Sequence, residues 1–236
     1  MCGIFAVISN NINDLDLKKF SDSLNIIKYR GPDKTNIRKI TKNIIFGHNR
    51  LKIIDLNDRS NQPFQKDKYS LLFNGCIYNY KEIKEELKSK YNFETQGDTE
   101  VLFYALIEWG EDALQKIDGM YAFLFYDGVK ILASVDRFGE KPLYYFKNDK
   151  QIIFSSEIEP IKFYLDNKIE VDNSHKTFKE FLYLGYLSND KTIYKNIRKI
   201  LPKNNYVVKK NKIISKLKES KQINFNNIHI DDIHNE

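Results

Sequence analysis

Cys2 directly follows the initiator Met and begins the run Cys-Gly-Ile-Phe-Ala-Val-Ile. Removal of Met1 would place a thiol and a free α-amine on the same residue. A thiol attacks well only after it has lost its proton, and this normally requires a base within hydrogen-bond reach. An α-amine titrates at about 7.7–8.0, so it can take and return a proton near neutral pH. Cys2 is therefore a candidate nucleophile that carries its own base.

The same seven residues also have a structural interpretation. Free Cys is among the most buried residue types, and a short apolar run is typical of a buried strand. Taken alone, the run favours a small buried Cys in the first strand over a catalytic one. The decision between the two depends on the rest of the chain.

Composition narrows the class of protein. The chain of 236 residues is long enough for one sizeable core or two small ones, and its hydrophobic fraction of 42% is ordinary for a soluble globular protein. No apolar run is long enough to cross a bilayer, and no basic region precedes the apolar N-terminus as in a signal peptide. The two Cys argue against a disulfide scaffold and fit a reducing cytosol. We therefore expect a cytoplasmic protein without membrane contact.

Much of the net charge of +6 lies near the end of the chain. A basic run can bind nucleic acid, but no aromatic residues alternate with these lysines, as a base-stacking platform would require. A solvated tail is the simpler interpretation, and we expect no nucleic-acid partner. The lysines concerned are Lys209, Lys210, Lys212, Lys216, Lys218 and Lys221.

Hydrophobic periodicity groups the elements into blocks. Helices grouped between runs of hairpins predict an α+β protein with antiparallel sheets rather than a repeating βαβ pattern. The predicted strands are 1–9, 37–40, 43–47, 69–73, 120–126, 129–135, 143–146 and 151–154, with weak strands at 206–208 and 213–214. The predicted helices cover 15–28, 80–87, 101–109, 156–165 and 177–184.

Seven segments change the balance of interpretation for Cys2. The segments are Arg30–Asp33, Gly47–Leu56, Gln62-Pro63, Asn74–Asn79, Gly97–Glu100, Asp136–Tyr145 and Ser156-Glu157. In order and spacing, they resemble motifs of the glutaminase domain of class II glutamine amidotransferases, and most closely its asparagine synthetase branch. The resemblance covers the chain from Cys2 to about Val208.

The resemblance implies a fold and a reaction. The fold is the N-terminal-nucleophile hydrolase sandwich, with four αββα layers and two antiparallel sheets between helices. The reaction is hydrolysis of L-glutamine to glutamate and ammonia, without a metal. Residues 2–208 would form this domain, and residues 209–236 a polar tail or linker.

The resemblance also assigns roles to individual residues. Cys2 matches the nucleophile, while Asn74 and Gly75 match the oxyanion hole, in which a side-chain amide and a backbone N–H bind the tetrahedral intermediate. Arg50 matches the residue that binds the substrate's α-carboxylate, a task that suits a planar bidentate donor. Asp98 matches the carboxylate that pairs with the α-ammonium group.

Each assignment has a structural alternative. Asn74-Gly75 is also a favoured hairpin turn, and Asp98 directly precedes an apolar helix, as an N-cap residue does. Without its flanking motif, Arg50 would be interpreted as a surface arginine. His48 is interpreted as structural, because the α-amine already supplies the base.

The rest of the implied glutamine pocket includes one departure from the family. Position 76 is usually Glu in this branch, where it helps to bind the α-ammonium group, but here it is Cys76. Without that Glu, Asp98 would be the main anchor for the α-ammonium group. The residues expected to line the pocket, largely through backbone groups, are Leu51, Lys52, Ile53 and Ile54.

A second departure concerns the synthetase part of the family. Family enzymes continue into an ATP-pyrophosphatase domain with a Gly-rich phosphate loop, whereas the last glycine of this chain is Gly185. We therefore expect no cofactor on this chain, with ATP and Mg²⁺ on a missing synthetase domain or subunit that receives the ammonia. Two alternatives stay open: a glutaminase subunit for amidation of a sugar or another carboxylate, and an inactive relic that binds glutamine or a partner.

Overall fold

The computed structural model describes residues 1–10, 16–202, 204–209 and 212–217. Within these ranges, twelve β-strands pair in antiparallel fashion to form two six-stranded sheets. In chain order the strands are β1 (Gly3–Ser9), β2 (Lys34–Thr41), β3 (Ile44–Arg50), β4 (Phe64–Lys66), β5 (Tyr69–Ile77), β6 (Gly119–Tyr126), β7 (Ile131–Val135), β8 (Tyr144–Lys147), β9 (Gln151–Ser155), β10 (Ile197–Lys199), β11 (Asn204–Lys209) and β12 (Lys212–Leu217).

The two sheets place β1 and β5 in their interiors. The first sheet has the order β10-β8-β9-β1-β3-β2, and the second has the order β12-β11-β7-β6-β5-β4. The described α-helices are α1 (Leu17–Ile26), α2 (Tyr80–Leu87), α3 (Asp98–Trp109), α4 (Ala113–Lys116), α5 (Ile158–Tyr164) and α6 (His175–Leu184).

The helices cover the outer faces of the sheets. Helices α1 and α5 pack against the first sheet, and α2 and α3 against the second. A third apolar cluster fills the space between the sheets. The predicted four-layer αββα sandwich with two antiparallel sheets is therefore confirmed.

Successive side chains of β1 pack alternately into the core between the sheets and into the core beneath the helices. Ile4 and Ala6 point into the space between the sheets, whereas Phe5 and Val7 pack beneath α1 and α5. All four side chains are fully buried. Because successive strand residues face opposite sides, the even-numbered residues of β1 form one row along the interior of the sandwich.

Two predicted strand ends were wrong. β5 does not end at Asn74-Gly75, since these residues pair with Ala122 and Tyr121 in the ladder to β6. This ladder also excludes the hairpin-turn alternative for Asn74-Gly75. β3 continues to Arg50, because its polar last three residues are buried in the structure, and a hydrophobic pattern gives no sign of them.

The predicted boundary at residue 208 falls inside the second sheet. β12 pairs with β11 over its whole length and so belongs to the sandwich, although residues 209–236 were predicted to be a tail or linker. The side chains of β12 are largely exposed, which explains its weak hydrophobic signal. The rest of the predicted tail, residues 218–236, lies outside the described residues.

Candidate active site

Three rows of side chains meet at one end of the sandwich. The inward row of β1 continues to Cys2, just before the strand begins. On β5, Leu72 lies in the core between the sheets and Asn74 is the next residue of that row. On β3, Phe46 lies in the same core and Arg50 continues the row with the same period. The pairing of β1 with β3 and the packing of the two sheets against each other therefore bring together a thiol, an amide and a guanidinium from three distant parts of the sequence.

Cys2 is held from three sides. Its backbone N–H donates to Asn74 Oδ1 at 3.0 Å, and its carbonyl accepts a hydrogen bond from Arg30 Nε at 3.0 Å. The backbone N–H of Leu51 donates to the Cys2 sulfur at 3.4 Å. Arg30 is fixed in turn by an ion pair of 2.7 Å with Glu157. The nucleophile predicted from the sequence therefore has a fixed backbone and an oriented thiol.

The Cys2 thiol is protonated in this environment. Burial raises its pKa above the ordinary value, although the hydrogen bond from Leu51 and the nearby Arg50 charge oppose this effect. A base is therefore needed when the sulfur attacks. His48 does not fit this role, because full burial lowers its pKa to about 3 and its Nε2 lies 3.1 Å from the carbonyl oxygen of Phe73. His48 is fully buried and does not line the cavity, which is consistent with its interpretation as a structural residue.

Asn74 presents an unused donor beside Cys2. Its side chain is only 2% exposed, and Nδ2 has no hydrogen-bond partner among the described residues, while Oδ1 accepts from Cys2. A buried N–H without a partner costs free energy, so such groups are rare unless a ligand or water completes them. Asn74 Nδ2 is therefore available to stabilise a negative oxygen next to the thiol.

The backbone of β5 supplies a second donor. The amides of Phe73 and Ile77 leave the edge of the strand that faces away from β6, and they bind Gln62 Oε1 at 2.6 Å and Asp98 Oδ2 at 2.9 Å. Amide direction alternates along an antiparallel strand, so the N–H of Gly75 faces the same edge. A Cβ atom at Gly75 would lie 2.2 Å from a backbone oxygen, so only glycine fits this position.

Arg50 retains one free edge of its guanidinium group. Both protons of Nη1 are used, because Nη1 donates to the carbonyl of Asn57 and to Asn61 Oδ1 at 2.8 Å each, and Nη2 donates to the carbonyl of Asp55. The Nε–H and the second Nη2–H have no partner in the part of the chain that the structure describes. The Nε–H and an Nη2–H form one edge of the planar guanidinium group, and bidentate binding of a carboxylate would use this edge.

Asp98 is a buried carboxylate at the start of α3. The N-cap residue is Gly97, so the N-cap alternative for Asp98 is wrong by one position. Burial raises the pKa of Asp98 to about 6, against the lowering effect of hydrogen bonds from the backbone N–H groups of Ile77, Asp98 and Thr99. A positively charged ligand group would compensate the cost of this buried charge.

These groups open into one cavity of about 120 Å³. A larger cleft of about 440 Å³ lies beside β2 and β4, but it shares only Gln62 with this cavity and does not reach the thiol. We therefore regard the smaller cavity as the candidate site. Eight of the ten site residues predicted from the sequence line it: Cys2, Arg50, Leu51, Ile53, Ile54, Asn74, Gly75 and Asp98.

The other two predicted residues do not line the cavity. Lys52 turns outward, where its ammonium group pairs with Asp58 at 2.8 Å. Cys76 follows Asn74 in the same row and is half-buried outside the cavity wall. Burial raises the pKa of the Cys76 thiol, the Asp98 charge raises it further and Lys141 lowers it. The charges of Asp98 and Lys141 therefore act on Cys76, although Cys76 does not line the cavity.

Several site residues were not assigned roles from the sequence. Gln62 fixes β5 through the amide of Phe73, and Arg30 fixes the carbonyl of Cys2. Both belong to the quoted motifs, so their place in a motif was the available signal. Asp55, Ser60, Gly97, Thr99, Met120 and Lys141 also line the cavity.

Comparison with solved structures confirms the class of fold. The glutamine phosphoribosylpyrophosphate amidotransferase from Bacillus subtilis, solved with ADP and GMP, matches with a TM-score of 0.65 at 17% sequence identity, over 92% of this chain and 49% of that chain. A structure described as the allosteric regulatory enzyme of purine biosynthesis matches with a TM-score of 0.63 over the same shares. The fold is therefore that of N-terminal-nucleophile hydrolases of the amidotransferase type.

Sequence comparison identifies the family. A family model described as a glutamine amidotransferase domain matches residues 1–219. The chain belongs to this family of glutamine amidotransferase domains. The glutamine-hydrolysing asparagine synthetase 3 of Bacillus subtilis is 33% identical over 211 residues, which is 86% of this chain and 34% of that protein. The glutamine-hydrolysing asparagine synthetase B of Escherichia coli K12 is 32% identical over 166 residues, covering 68% of this chain and 30% of that protein.

The chain thus spans about a third of the length of these relatives. It is a glutamine amidotransferase domain similar to those of asparagine synthetases. Among the described residues, no helix combines the length and apolar character needed to cross a bilayer.

Proposed function

We propose that this domain hydrolyses the side-chain amide of L-glutamine to glutamate and ammonia, with Cys2 as the nucleophile. One observation carries the proposal. The Cys2 nitrogen is bound to Asn74 Oδ1 at 3.0 Å, while Nδ2 of the same amide is buried and has no hydrogen-bond partner among the described residues. One side chain thus orients the base and offers a donor to the oxyanion.

The reaction uses groups of this chain throughout. After removal of Met1, the α-amine of Cys2 takes the thiol proton while the sulfur attacks the amide carbon. The carbonyl electrons move to oxygen, and this oxyanion accepts hydrogen bonds from Asn74 Nδ2 and the Gly75 N–H. The protonated α-amine of Cys2 then returns its proton to the leaving nitrogen. The C–N bond breaks, ammonia departs, and the acyl group remains on the sulfur as a thioester. Water then attacks the thioester, with the α-amine again as base, and glutamate is released.

The amino-acid end of glutamine is bound without reacting. The free guanidinium edge of Arg50 binds the α-carboxylate, and Asp98 binds the α-ammonium group. Leu51, Ile53 and Ile54 form the wall between these two charges. This arrangement leaves the side-chain amide pointing towards Cys2.

We infer that the ammonia serves an acceptor of the asparagine synthetase type. Two facts support this step: the relatives are named glutamine-hydrolysing asparagine synthetases, and the chain spans only about a third of their length. ATP and Mg²⁺ would then act on a synthetase domain or subunit outside this sequence. The domain itself needs only glutamine and water.

A glutaminase assay tests the proposed reaction. Protein that begins at Cys2, as verified by intact mass, should release glutamate from L-glutamine, and Cys2→Ala should release none. Because Cys2 is only half-buried at the end of a strand, Cys2→Ala should change the free energy of unfolding by about 1 kcal/mol or less. Near-normal turnover by Cys2→Ala would place the nucleophile elsewhere. Full activity with Met1 retained would exclude the α-amine as base.

A further inference from the structure

Asp55 lines the cavity and accepts hydrogen bonds from two separate segments of the chain. Its Oδ2 accepts hydrogen bonds from Ser60 Oγ at 2.7 Å and from the backbone N–H of Gln96 at 3.0 Å. Its Oδ1 accepts from the backbone N–H of Asn57 at 2.8 Å. A single carboxylate therefore joins the loop of residues 51–61 to the turn that precedes α3.

Each of these two segments adjoins one proposed substrate-binding residue. The loop orients Arg50, whose guanidinium donates to the carbonyls of Asp55 and Asn57. The turn leads directly to Asp98, two residues after Gln96. Asp55 thus connects Arg50, which would bind a carboxylate, to the turn before Asp98, which would bind an ammonium group.

The connection through Asp55 has no substitute among the described residues. The hydrogen bond from Gln96 to Asp55 is the only one there between residues 51–61 and residues 94–97. Partial burial opposes ionisation of Asp55, but the hydrogen bonds from Ser60, Asn57 and Gln96 hold its pKa below the ordinary value. The carboxylate is therefore charged at neutral pH, which strengthens the hydrogen bonds that it accepts.

We propose that Asp55 is a positioning residue that fixes the spacing between Arg50 and Asp98, and that it thereby makes the site selective for ligands with both an α-carboxylate and an α-ammonium group. The inference rests on the proposed function and adds the residue that defines the substrate class. The backbone of Cys2 is held by Asn74 and Arg30, and Asn74 is held by the ladder between β5 and β6, so the placement of these two residues does not use the Asp55 carboxylate.

Binding of three amides to the Asp55→Asn variant tests the inference. The amides are L-glutamine, 4-carbamoylbutanoate, which lacks the α-amine, and 4-aminobutanamide, which lacks the α-carboxylate. The Kd of each amide is measured by titration calorimetry. All proteins carry Cys2→Ala as well, which prevents turnover. Asp55→Asn should raise the Kd of L-glutamine about tenfold, since a ligand that must reach both anchors loses part of a charge-assisted hydrogen bond when their spacing changes. Each truncated amide uses only one anchor, so its Kd should change by about twofold or less.

Asp58→Asn is the matched control. Asp58 is a carboxylate of the same loop and also acts on the Arg50 charge, but it bonds Lys52 and Asn61 rather than the turn before α3. Its replacement removes the same charge and should change the three Kd values by about twofold or less, since an exposed charge pair contributes little. Ser60→Ala removes one of the hydrogen bonds to the Asp55 carboxylate. It should also raise the Kd of L-glutamine selectively, by a smaller factor. This variant replaces Asp55→Asn in the test if Asp55→Asn does not fold.

The outcomes separate this inference from the proposed function. Turnover of L-glutamine by the unsubstituted protein is measured first, and its absence would remove the proposed function and this inference together. If that turnover is normal and Asp55→Asn weakens all three amides equally, or none of them, Asp55 does not set the spacing of the anchors. If Asp58→Asn matches Asp55→Asn, charge rather than the bridge is responsible, and the inference is overturned.

Discussion

The two ends of the cavity are built from different kinds of structure. Cys2 and Asn74 stand on the inward rows of β1 and β5, next to fully buried core residues. Arg50 is the last residue of β3, but its guanidinium is held by the loop of residues 51–61, and Asp98 lies at the start of α3. The loop is open to solvent, with Ile53 exposed to 73%. The proposed reacting groups therefore stand on the inward rows of the sheets, whereas the charged ends of the proposed recognition groups are held by hydrogen bonds to a loop and to a helix start.

This difference separates two energetic tasks. Packing between the two sheets and the hydrogen bond from Cys2 to Asn74 hold the thiol and its oxyanion donors at fixed spacing, as transition-state stabilisation requires. The loop and helix start bind the part of glutamine that does not change during the reaction. Substitutions at the sheet end should therefore lower kcat, and substitutions at the loop end should mainly raise KM.

Asn74→Ala should produce the largest effect on kcat among substitutions that leave Cys2 in place. Removal of an oxyanion donor lowers kcat by roughly 10²–10³, because the hydrogen bond strengthens only as negative charge develops. KM should remain close to that of the unsubstituted protein. Steady-state kinetics with L-glutamine measure both constants. A raised KM with normal kcat would show that Asn74 binds substrate rather than the oxyanion.

Arg50→Ala should raise KM for glutamine by roughly 10–100-fold, the loss expected for charge-assisted hydrogen bonds to a carboxylate. Arg50→Lys should recover only part of this loss, because a lysine ammonium cannot present the bidentate edge that Arg50 leaves free. The value of kcat should change little in both variants. A fall in kcat as large as that of Asn74→Ala would remove the distinction between the two ends.

Acidification should weaken glutamine binding through Asp98. Burial raises the pKa of Asp98 to about 6, so the carboxylate gains a proton as the pH falls through that value and loses its attraction for the α-ammonium. On a Cys2→Ala background, the Kd of L-glutamine should rise about tenfold between pH 7 and pH 5. Asp98→Asn should bind weakly at both pH values. An equal pH dependence in Asp98→Asn would assign the titration to another group.

The sequence was sufficient to predict the fold and most of the residues that line the candidate site. Alternating apolar residues and hairpin signals placed the strands, and motif order indicated which family they belong to. Prediction was weaker where buried residues are polar. β3 was predicted to end before Arg50, because burial of its last three polar residues depends on partners far away in the sequence, such as the carbonyl of Phe73 that contacts His48.

Position within a motif did not determine which side chains face the cavity. Lys52 lies between two lining residues, yet its ammonium reaches Asp58 outside, because successive loop residues point in different directions. Asp55 was part of the same motif without a role, since its importance comes from Gln96, which is 41 residues away in the sequence. Long-range hydrogen bonds of this kind are visible only in three dimensions.

Cys76→Glu should produce the smallest effect, at the boundary between the two ends. Cys76 lies two residues after Asn74 on β5, within the electrostatic influence of Asp98 and Lys141. A longer Glu side chain from this half-buried position adds a second carboxylate for the α-ammonium group. Such a hydrogen bond contributes roughly 1.5–3 kcal/mol where water is excluded and less at a wet rim. KM for glutamine should therefore fall several-fold, with kcat almost unchanged.

The charges of Asp98 and Lys141 limit the expected fall in KM for glutamine. The new carboxylate repels Asp98 in the empty site, and Lys141 attracts part of its charge away from the substrate. Cys76→Gln has the size of Glu without the charge and should not lower KM. The Kd of 4-carbamoylbutanoate, which lacks the α-amine, should not fall in Cys76→Glu. If Cys76→Glu leaves KM for glutamine unchanged, or improves both amides equally, position 76 does not contact the ammonium, and Asp98 binds that group without help from β5.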